Sequence, residues 1–289
     1  MAGKTLFILN PISGRTSWTK KLAGLEKVIA DNPVYTLQET EYHGHATELA
    51  RSNHLNYQTI VAIGGDGTVS EVAAGLENTQ AIMGIIPLGS GNGLAHHLGI
   101  PDDWRQALSI IENAQPKEID LVKVNEKSVI NVGGLGFDGH VAALFNKTTK
   151  RGLFTYIKII LSELFKYQEF DYEIKAADFT NSSKAFIIAI ANASEFGNRF
   201  KIVPDADHND GMFNLVVIKK PPLWQLPYLF VKGYQGKLKQ SKYYQTYLLE
   251  EAQISFSNTV AHCDGEVDHE SLNSPLQISI NKSALKIYY

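Results

Sequence analysis

The sequence TIVAIGGDGTVSEVAAGL, residues 59–76, shows most directly how the first half of the chain folds. Thr59 to Ile63 is a short apolar run typical of a strand inside a parallel sheet. The glycines of the next segment, Gly64-Gly65-Asp66-Gly67, let the backbone turn tightly and approach a ligand closely. Apolar residues then recur at helical spacing, at Val69, Val72, Ala73 and Leu76. The stretch predicts a strand, a glycine-rich turn and a helix.

The same alternation continues on both sides of this stretch. Further predicted strands are Thr5 to Leu9, Val34 to Leu37 and Ala81 to Ile86. Further predicted helices contain the apolar sets Trp18, Leu22, Leu25 and Ile29; Ala46, Leu49 and Ala50; and Trp104, Ala107, Leu108 and Ile111. This order predicts a layered α/β domain with right-handed crossovers.

Beyond about residue 117 the pattern changes to strands. Apolar residues alternate with a period of two at Phe170 to Ala176, Ile254 to Phe256 and Leu276 to Ile280. Further buried strands are predicted at Ala185 to Ala191 and at Phe213 to Ile218. The second half is therefore predicted to be an antiparallel β-sandwich, interrupted by helices near 154–168 and 223–235. The predicted domains are 1–120 and 121–279, and the strand near 280–289 is a candidate to return to the first.

Three polar, glycine-containing loops follow predicted strands of the first domain. They are Asn10 to Gly14, Gly64 to Thr68 and Pro87 to Leu94. Because the carboxyl ends of parallel strands meet at one sheet edge, where ligands of such sheets bind, we expect these loops to converge. Helix N-termini favour phosphate there. The loops predict a nucleotide phosphate site, although no GxxxxGK[ST] P-loop occurs.

Asp66 strengthens this interpretation. A glycine-rich turn can be purely structural, but an aspartate at the end of a core strand favours a cation, a hydroxyl or a donor network nearby. Thr68 and Glu71 have the spacing of a capping box, which would fix where the following helix starts.

The composition limits the classes of function. The net charge of the 289-residue chain is −3, so no basic field favours nucleic acid as a partner. Cys263 is the single cysteine, which fits a cytoplasmic protein without a disulfide framework. No apolar run reaches the roughly 18 residues of a membrane span, so we expect any membrane association to be peripheral. The oligomeric state stays open, a homodimer included.

Asp264 and Glu266 form a second acidic motif. On an extended segment, two residues separated by one glycine point to the same side. Two neighbouring carboxylates suit proton transfer. The alternative is a solvated acidic surface loop, since Asp268 and Glu270 follow. Cys263, beside the motif, is expected to be inert packing.

Residues 219–242, the basic segment, contain six lysines and no acid. Aromatic residues are interleaved with the lysines, which predicts that the segment binds an anionic membrane surface. The alternative is that the aromatics pack on the sandwich. Near 157–165, Ile157, Ile160, Leu161, Leu164 and Phe165 share a helical face that covers either a lipid tail or the core.

Six segments together resemble the diacylglycerol kinase catalytic family. In order they are NPISG, GGDGTVSEVAAGL, PLGSGNGLAHHLGIP, NVGGLGFDGHVA, PDADHNDGMFNL and HCDGEVD, spread over residues 6 to about 270. GGDGT alone is shared with NAD kinases. The resemblance implies a nucleotide-binding α/β domain, a β-sandwich, and catalysis in the cleft between them.

The resemblance also implies Mg²⁺-dependent transfer of the γ-phosphoryl group of ATP, the co-substrate, to a lipid hydroxyl. It implies nucleotide contacts at Asn10, Thr40, Gly64, Gly65, Asp66, Gly67, Thr68, Val69, Ser70 and Ser90. It assigns catalysis to Asp66, Asp264 and Glu266, with Glu266 favoured as proton acceptor. A structural Mg²⁺ would be held by Asp210 through its carboxylate and by Asp207 and Met212 through their carbonyls.

One departure from the family pattern is Gly93, where many bacterial members have aspartate. The loop is closer to that of sphingosine kinases, so the acceptor is expected to be either a diacylglycerol-like or a sphingoid-type lipid at a membrane surface. Two alternatives stay open: a soluble NAD kinase-like enzyme, and a catalytically weak sensor of lipid or nucleotide.

Overall fold

A computed structural model describes residues 3–13, 19–148, 153–197, 199–268 and 271–289. Gly14, Trp18 and Glu270, which entered the sequence analysis, lie outside these ranges. The chain divides into two compact units. The N-unit comprises residues 1–120 and 282–289, and the C-unit comprises residues 121–281.

Strands and helices alternate in the N-unit, as the sequence predicted. In order they are β1 (Thr5–Leu9), α1 (Thr19–Asp31), β2 (Tyr35–Glu39), α2 (His45–Asn53), β3 (Thr59–Gly64), α3 (Asp66–Leu76), β4 (Ile82–Pro87), α4 (Gly93–His97) and α5 (Trp104–Asn113). Strand β5 (Pro116–Val124) then leads into the C-unit.

The N-unit sheet has the strand order β2-β1-β3-β4, and all three pairs are parallel. Strands β1, β3 and β4 are buried along their whole length, because helices cover both faces of such a sheet. The residues Lys286 and Ile287 add a further parallel pairing to β4. The α/β prediction is confirmed.

The C-unit is mostly antiparallel. Its elements are β6 (Lys127–Val129), β7 (Val132–Gly136), α6 (Phe137–Asn146), α7 (Leu153–Glu163), β8 (Phe170–Ala176), β9 (Phe179–Ala185), β10 (Ile187–Ala191), β11 (Phe213–Ile218), α8 (Leu226–Tyr234), β12 (Tyr244–Leu249), β13 (Glu251–Phe256), β14 (Ala261–Cys263), β15 (Glu266–Val267) and β16 (Leu276–Tyr288). The last part of β16 belongs to the N-unit.

Two sheets enclose the core of the C-unit. One has the order β12-β11-β10-β7-β14-β15. In the other, β13 pairs with the beginning of β16 and with β8, which pairs with β9. Alternate side chains of both sheets, such as Leu135 and Phe213 against Ile174 and Ile254, meet in one apolar cluster. The β-sandwich prediction is confirmed.

The sequence analysis assigned no helix to residues 137–146, where α6 lies. It starts directly after β7, and Gly136 makes the junction with a φ of 112°. Helix α7 and the turn that follows it pack beside α6 through Ile160 and Leu164, while Phe154, Leu161 and Phe165 are exposed. The helical face predicted near 157–165 therefore divides between core and surface. None of the described helices combines the length and the apolarity needed to cross a bilayer.

Candidate functional site

Three loops meet at the carboxyl edge of the parallel sheet in the N-unit. The Asn10 N–H donates to the Ile63 carbonyl at 3.1 Å, and the Leu88 N–H donates to the Gly64 carbonyl at 2.8 Å. Thr40, which follows β2, is bonded in the same way to the Leu9 carbonyl at 2.8 Å. The convergence expected from strand order is present.

Two glycines allow the second and third loops to touch. A Cβ added to Gly89 would lie 2.6 Å from the Gly65 Cα, and one added to Gly65 would lie 3.2 Å from the Gly89 Cα. Because the neighbour is backbone in both cases, no side-chain rearrangement relieves the contact. A side chain at Gly89 would force these loops apart.

Asp66 joins the same two loops through its side chain. Its Oδ1 accepts the Gly93 N–H at 2.7 Å, at the first residue of α4. A carboxylate at a helix N-terminus is favoured by the unpaired amides there. Gly93 therefore contributes its backbone to the Asp66 network, although it carries no carboxylate of its own.

The capping-box prediction is wrong. Helix α3 begins at Asp66, and Gly65 precedes it without a side-chain cap. Thr68 lies inside the first turn, where its Oγ1 accepts from Asn10 Nδ2 at 3.1 Å. Glu71 instead accepts the Ala46 N–H of α2 at 3.1 Å, because the helix starts three residues before the position that a cap at Thr68 requires, and Glu71 then faces α2.

The residues predicted to contact nucleotide fall into two groups. Gly64, Thr68 and Val69 are buried, so they lie on the inner side of the loop. Gly67 and Ser90 are exposed, and Asp66, Gly65, Asn10, Thr40 and Ser70 are partly buried. A Cβ added to Gly67 would meet no atom within 4 Å. The open side of the site is therefore at Gly67 and Ser90.

Asn92 and Asp102 hold the third loop, and neither role was predicted from the sequence. Asn92, at a φ of 49°, donates from Nδ2 to the Gly89 carbonyl at 3.1 Å and to Asp102 Oδ1 at 3.0 Å. His96 Nε2 lies 3.2 Å from the same carboxylate oxygen. An asparagine that follows a glycine loop is a signal for left-handed backbone and could have indicated this turn.

The acidic motif of the C-unit is a hairpin turn between β14 and β15. Asp264 and Gly265 have φ values of 49° and 86°, as in the two-residue turns that Asp-Gly sequences favour. The prediction of an extended segment with both carboxylates on one side is wrong, because the two left-handed residues reverse the chain. Asp-Gly between short apolar runs was the signal for this turn.

The Asp264 carboxylate binds backbone amides where β6 passes into β7. Oδ2 accepts the Ile130 N–H, and Oδ1 accepts the N–H groups of Asn131 and Val132, each at 3.0 Å. Three N–H donors favour the charged carboxylate. Asp264 therefore anchors the turn, whereas Glu266 is the first residue of β15 and pairs with Cys263.

Residues 207–212 form the loop predicted to hold a structural Mg²⁺. Asp207 Oδ1 accepts the Asn209 N–H at 3.0 Å, and Asp210 Oδ1 accepts the Met212 N–H at 2.9 Å. Both carboxylates thus shape the loop locally. The donor set of carboxylate and carbonyl oxygens is the chemistry that Mg²⁺ prefers, so the residues fit the ion.

The basic segment combines exposed aromatic residues with a packed leucine. Trp224 is 77% exposed and Tyr228 is 59% exposed, whereas Leu229 packs against the sheet. Lys232 lies 4.8 Å above the Tyr228 ring, and Lys239 pairs with Asp205. The alternative in which all the aromatics are packed is therefore wrong for Trp224 and Tyr228.

Cys263 is buried in β14, as expected for a packing residue. Burial raises the pKa of its thiol, and the negative charge of Asp264 raises it further. The thiol therefore stays protonated and unreactive at neutral pH.

Two family models match the chain. The diacylglycerol kinase catalytic domain matches residues 4–124, and the YegS C-terminal NAD kinase beta sandwich-like domain matches residues 131–289. The chain belongs to the diacylglycerol kinase catalytic family. In this family member, the first match contains the three converging loops, and the second contains the Asp264 turn.

Curated diacylglycerol kinases align with most of this family member. The diacylglycerol kinase of Staphylococcus saprophyticus is 28% identical over 279 residues, which is 92% of this chain and 90% of the relative. That of Staphylococcus aureus strain MRSA252 is 28% identical over 249 residues, 82% of this chain and 77% of the relative.

Solved structures share the fold of this diacylglycerol kinase family member. A diacylglycerol kinase structure from Bacillus anthracis strain Sterne has a TM-score of 0.75 at 19% identity and covers 100% of this chain and 98% of that one. Yeast NADH kinase in complex with NADH has a TM-score of 0.54 at 10% identity, over 99% of this chain and 83% of that one. The NAD kinase fold is thus a more distant neighbour.

Proposed function

We propose that the protein is an ATP-dependent lipid kinase that transfers the γ-phosphoryl group to a hydroxyl of a diacylglycerol-like or sphingoid-type lipid. The observation that carries the proposal is the meeting of three loops around Asp66 at one sheet edge, in a member of a kinase family. The alignment with named diacylglycerol kinases over 92% of the chain supports a lipid acceptor.

The proposed nucleotide contacts come from the open side of these loops. Backbone amides around Gly65 and Gly67 would bind phosphate oxygens at the start of α3, where the helix dipole favours anions. Asn10, Thr40, Ser70 and Ser90 offer polar side chains at the same edge. Gly64, Thr68 and Val69 would act by holding the loop.

Mg²⁺ bound with ATP would supply charge neutralisation on the transferred phosphoryl group. Asp66 is the proposed carboxylate for it, directly or through water, because its side chain stands between the two glycine loops. Asp207, Asp210 and Met212 would hold a second, structural ion. Their oxygens suit Mg²⁺, and the loop conformation presents them within six residues.

Glu266 is the proposed proton acceptor for the lipid hydroxyl. It follows the turn that Asp264 anchors, so the two carboxylates have different proposed roles. Asp264 orients the turn, and Glu266 performs the proton transfer.

The proposed lipid partner sits in an anionic membrane surface bound by the basic segment. Exposed Trp224 and Tyr228 suit the interface between headgroups and acyl chains, and lysines near them suit anionic headgroups. This binding would be peripheral.

The decisive test uses labelled ATP, Mg²⁺ and a total lipid extract, with NAD in a parallel reaction. A labelled lipid that forms only with Mg²⁺ supports the proposal, and identifying it names the acceptor. Labelled NADP would overturn it in favour of the NAD kinase-like alternative. Nucleotide binding without any labelled product would overturn it in favour of a sensor.

A further inference from the structure

Two side chains of the C-unit bind the backbone of Gly265, one at its N–H and the other at its carbonyl. The Gly265 N–H donates to His262 Nδ1 at 3.1 Å, and the Gly265 carbonyl accepts from Asn146 Nδ2 at 3.2 Å. Together with the Asp264 carboxylate, these contacts fix the turn that precedes Glu266. None of these contacts uses the Glu266 carboxylate.

His262 is itself oriented by Asp138. His262 Nε2 lies 3.1 Å from Asp138 Oδ2, and the two side chains are 5% and 10% exposed. Because a backbone N–H can only donate, Nδ1 must be an acceptor. The proton of the neutral ring is therefore on Nε2, which donates to Asp138.

The glycines of the segment VGGLGFDG make room for this pair. A Cβ added to Gly134 would lie 2.6 Å from Asp138 Oδ2, and one added to Gly139 would lie 2.2 Å from the Val260 carbonyl oxygen. The first turn of α6 can therefore approach β14 closely. The same helix contributes Asp138 from its first turn and Asn146 from its last residue.

The surroundings of Asp138 are buried and aromatic. Burial, and after it the charge of Asp138, raise the pKa of Tyr156 to about 12. Burial also raises the pKa of Tyr167; the hydrogen bond with Thr259 lowers it in part, and the charge of Asp138 adds to the rise. A buried carboxylate needs strong partners, and His262 and the Gly139 N–H at 2.9 Å are two of them.

We propose that Asp138 and His262 are positioning residues that hold the Gly265 peptide so that Glu266 stands where it accepts the proton of the lipid hydroxyl. This inference rests on the proposed lipid kinase function. His262 acts through Gly265, and Asp138 acts through His262, so neither touches substrate.

The test compares two amide substitutions of His262. His262→Asn places its amide at the position of Nδ1, so it keeps an acceptor for Gly265 and loses Asp138. His262→Gln places its amide at the position of Nε2, so it keeps the partner of Asp138 and loses the Gly265 contact. Asp138→Asn removes the charge that orients the ring. The matched control is His140→Gln. His140 lies on α6, as Asp138 does, but its Nε2 contacts Glu163 at 3.1 Å.

Displacement of a reacting group by about 1 Å can cost on the order of 100-fold in rate. We expect His262→Gln to lower kcat for lipid phosphorylation roughly 10- to 100-fold with an unchanged KM for ATP. We expect His262→Asn to lower kcat less, and His140→Gln to leave it unchanged. Equal losses in both His262 variants, or no loss in His262→Gln, would overturn the inference while leaving the kinase function intact.

A readout without turnover separates this inference from the proposed function. Imidazole ¹⁵N NMR of the wild-type protein should show a neutral His262 ring with its proton on Nε2, and the Gly265 amide resonance should shift more in His262→Gln than in His262→Asn. A proton on Nδ1 would overturn the inference whatever the activity. If the wild-type protein phosphorylates no lipid, the proposed function falls and the positioning role falls with it.

Discussion

The two units use the same Asp-Gly dipeptide for different purposes. In the N-unit, Asp66-Gly67 opens a helix, and the Asp66 carboxylate links two loops beside an exposed glycine. In the C-unit, Asp264-Gly265 closes a hairpin, and the Asp264 carboxylate binds three backbone amides. What the oxygens of an aspartate already bind therefore indicates whether it has a chemical or a structural role.

Among the variants considered, Asp66→Asn is expected to show the largest effect, and that effect is on activity. The amide keeps an oxygen for the Gly93 N–H but loses the charge, so we expect the fold to persist and turnover to fall by roughly 1,000-fold or more. The measurement is kcat with labelled ATP, beside a thermal unfolding curve. Full activity with normal Mg²⁺ dependence would refute the role of Asp66.

Asp264→Asn should show the reverse pattern, with its main effect on stability. One oxygen becomes an NH₂ group that faces an N–H donor from residues 130–132, which leaves that donor unsatisfied. We expect the free energy of unfolding to fall by about 1–3 kcal/mol, measured in urea. A variant as stable as wild type but inactive would show that Asp264 has a chemical role instead.

Two glycines of the N-unit differ in the same way: Gly89 packs against another loop, and Gly67 faces open space where a ligand would bind. Gly89→Ala places a Cβ against Gly65, so we expect a loss of about 1–3 kcal/mol in stability. Gly67→Ala meets open space in a helix, so we expect a gain of up to about 1 kcal/mol together with weaker ATP binding.

The two measurements for these glycine variants are thermal unfolding and ATP titration. Gly67→Ala with unchanged ATP affinity would place the phosphates elsewhere. Unchanged stability of Gly89→Ala would show that the two loops can separate.

Substitutions in the basic segment are expected to have a smaller effect, on binding to membranes. Replacing both Lys232 and Lys237 with Gln should weaken binding to anionic vesicles about 10-fold or more, since each such lysine contributes about 1 kcal/mol. The apparent KM for vesicle-borne lipid should rise, and activity on a short-chain, water-soluble analogue should stay near normal. The control is Lys239→Gln, because Lys239 already pairs with Asp205. Equal losses on both substrates would contradict the membrane role.

The smallest expected effect is at Cys263. Because the thiol is buried and its pKa is raised, alkylation by iodoacetamide at pH 8 should be far slower in the folded protein than in urea. The measurement is mass spectrometry over time. Rapid modification without denaturant would mean that β14 opens readily.

The sequence determined the elements whose physical signal is local. The buried run of Thr59 to Ile63 and the period-two pattern of Phe170 to Ala176 are visible without neighbours, because burial on one or two faces sets the spacing of apolar residues. Convergence of the three loops followed too, since parallel strands end at a common edge.

Roles that depend on partners distant along the chain are visible in the folded protein alone. Glu71 caps nothing in its own helix, because α2 offers the Ala46 N–H 25 residues away. The backbone amides that bind Asp264 precede it by more than 130 residues. Asp138, the partner of His262, precedes it by 124 residues. Spacing along the chain cannot report such pairs, because they exist only after the strands and helices have packed.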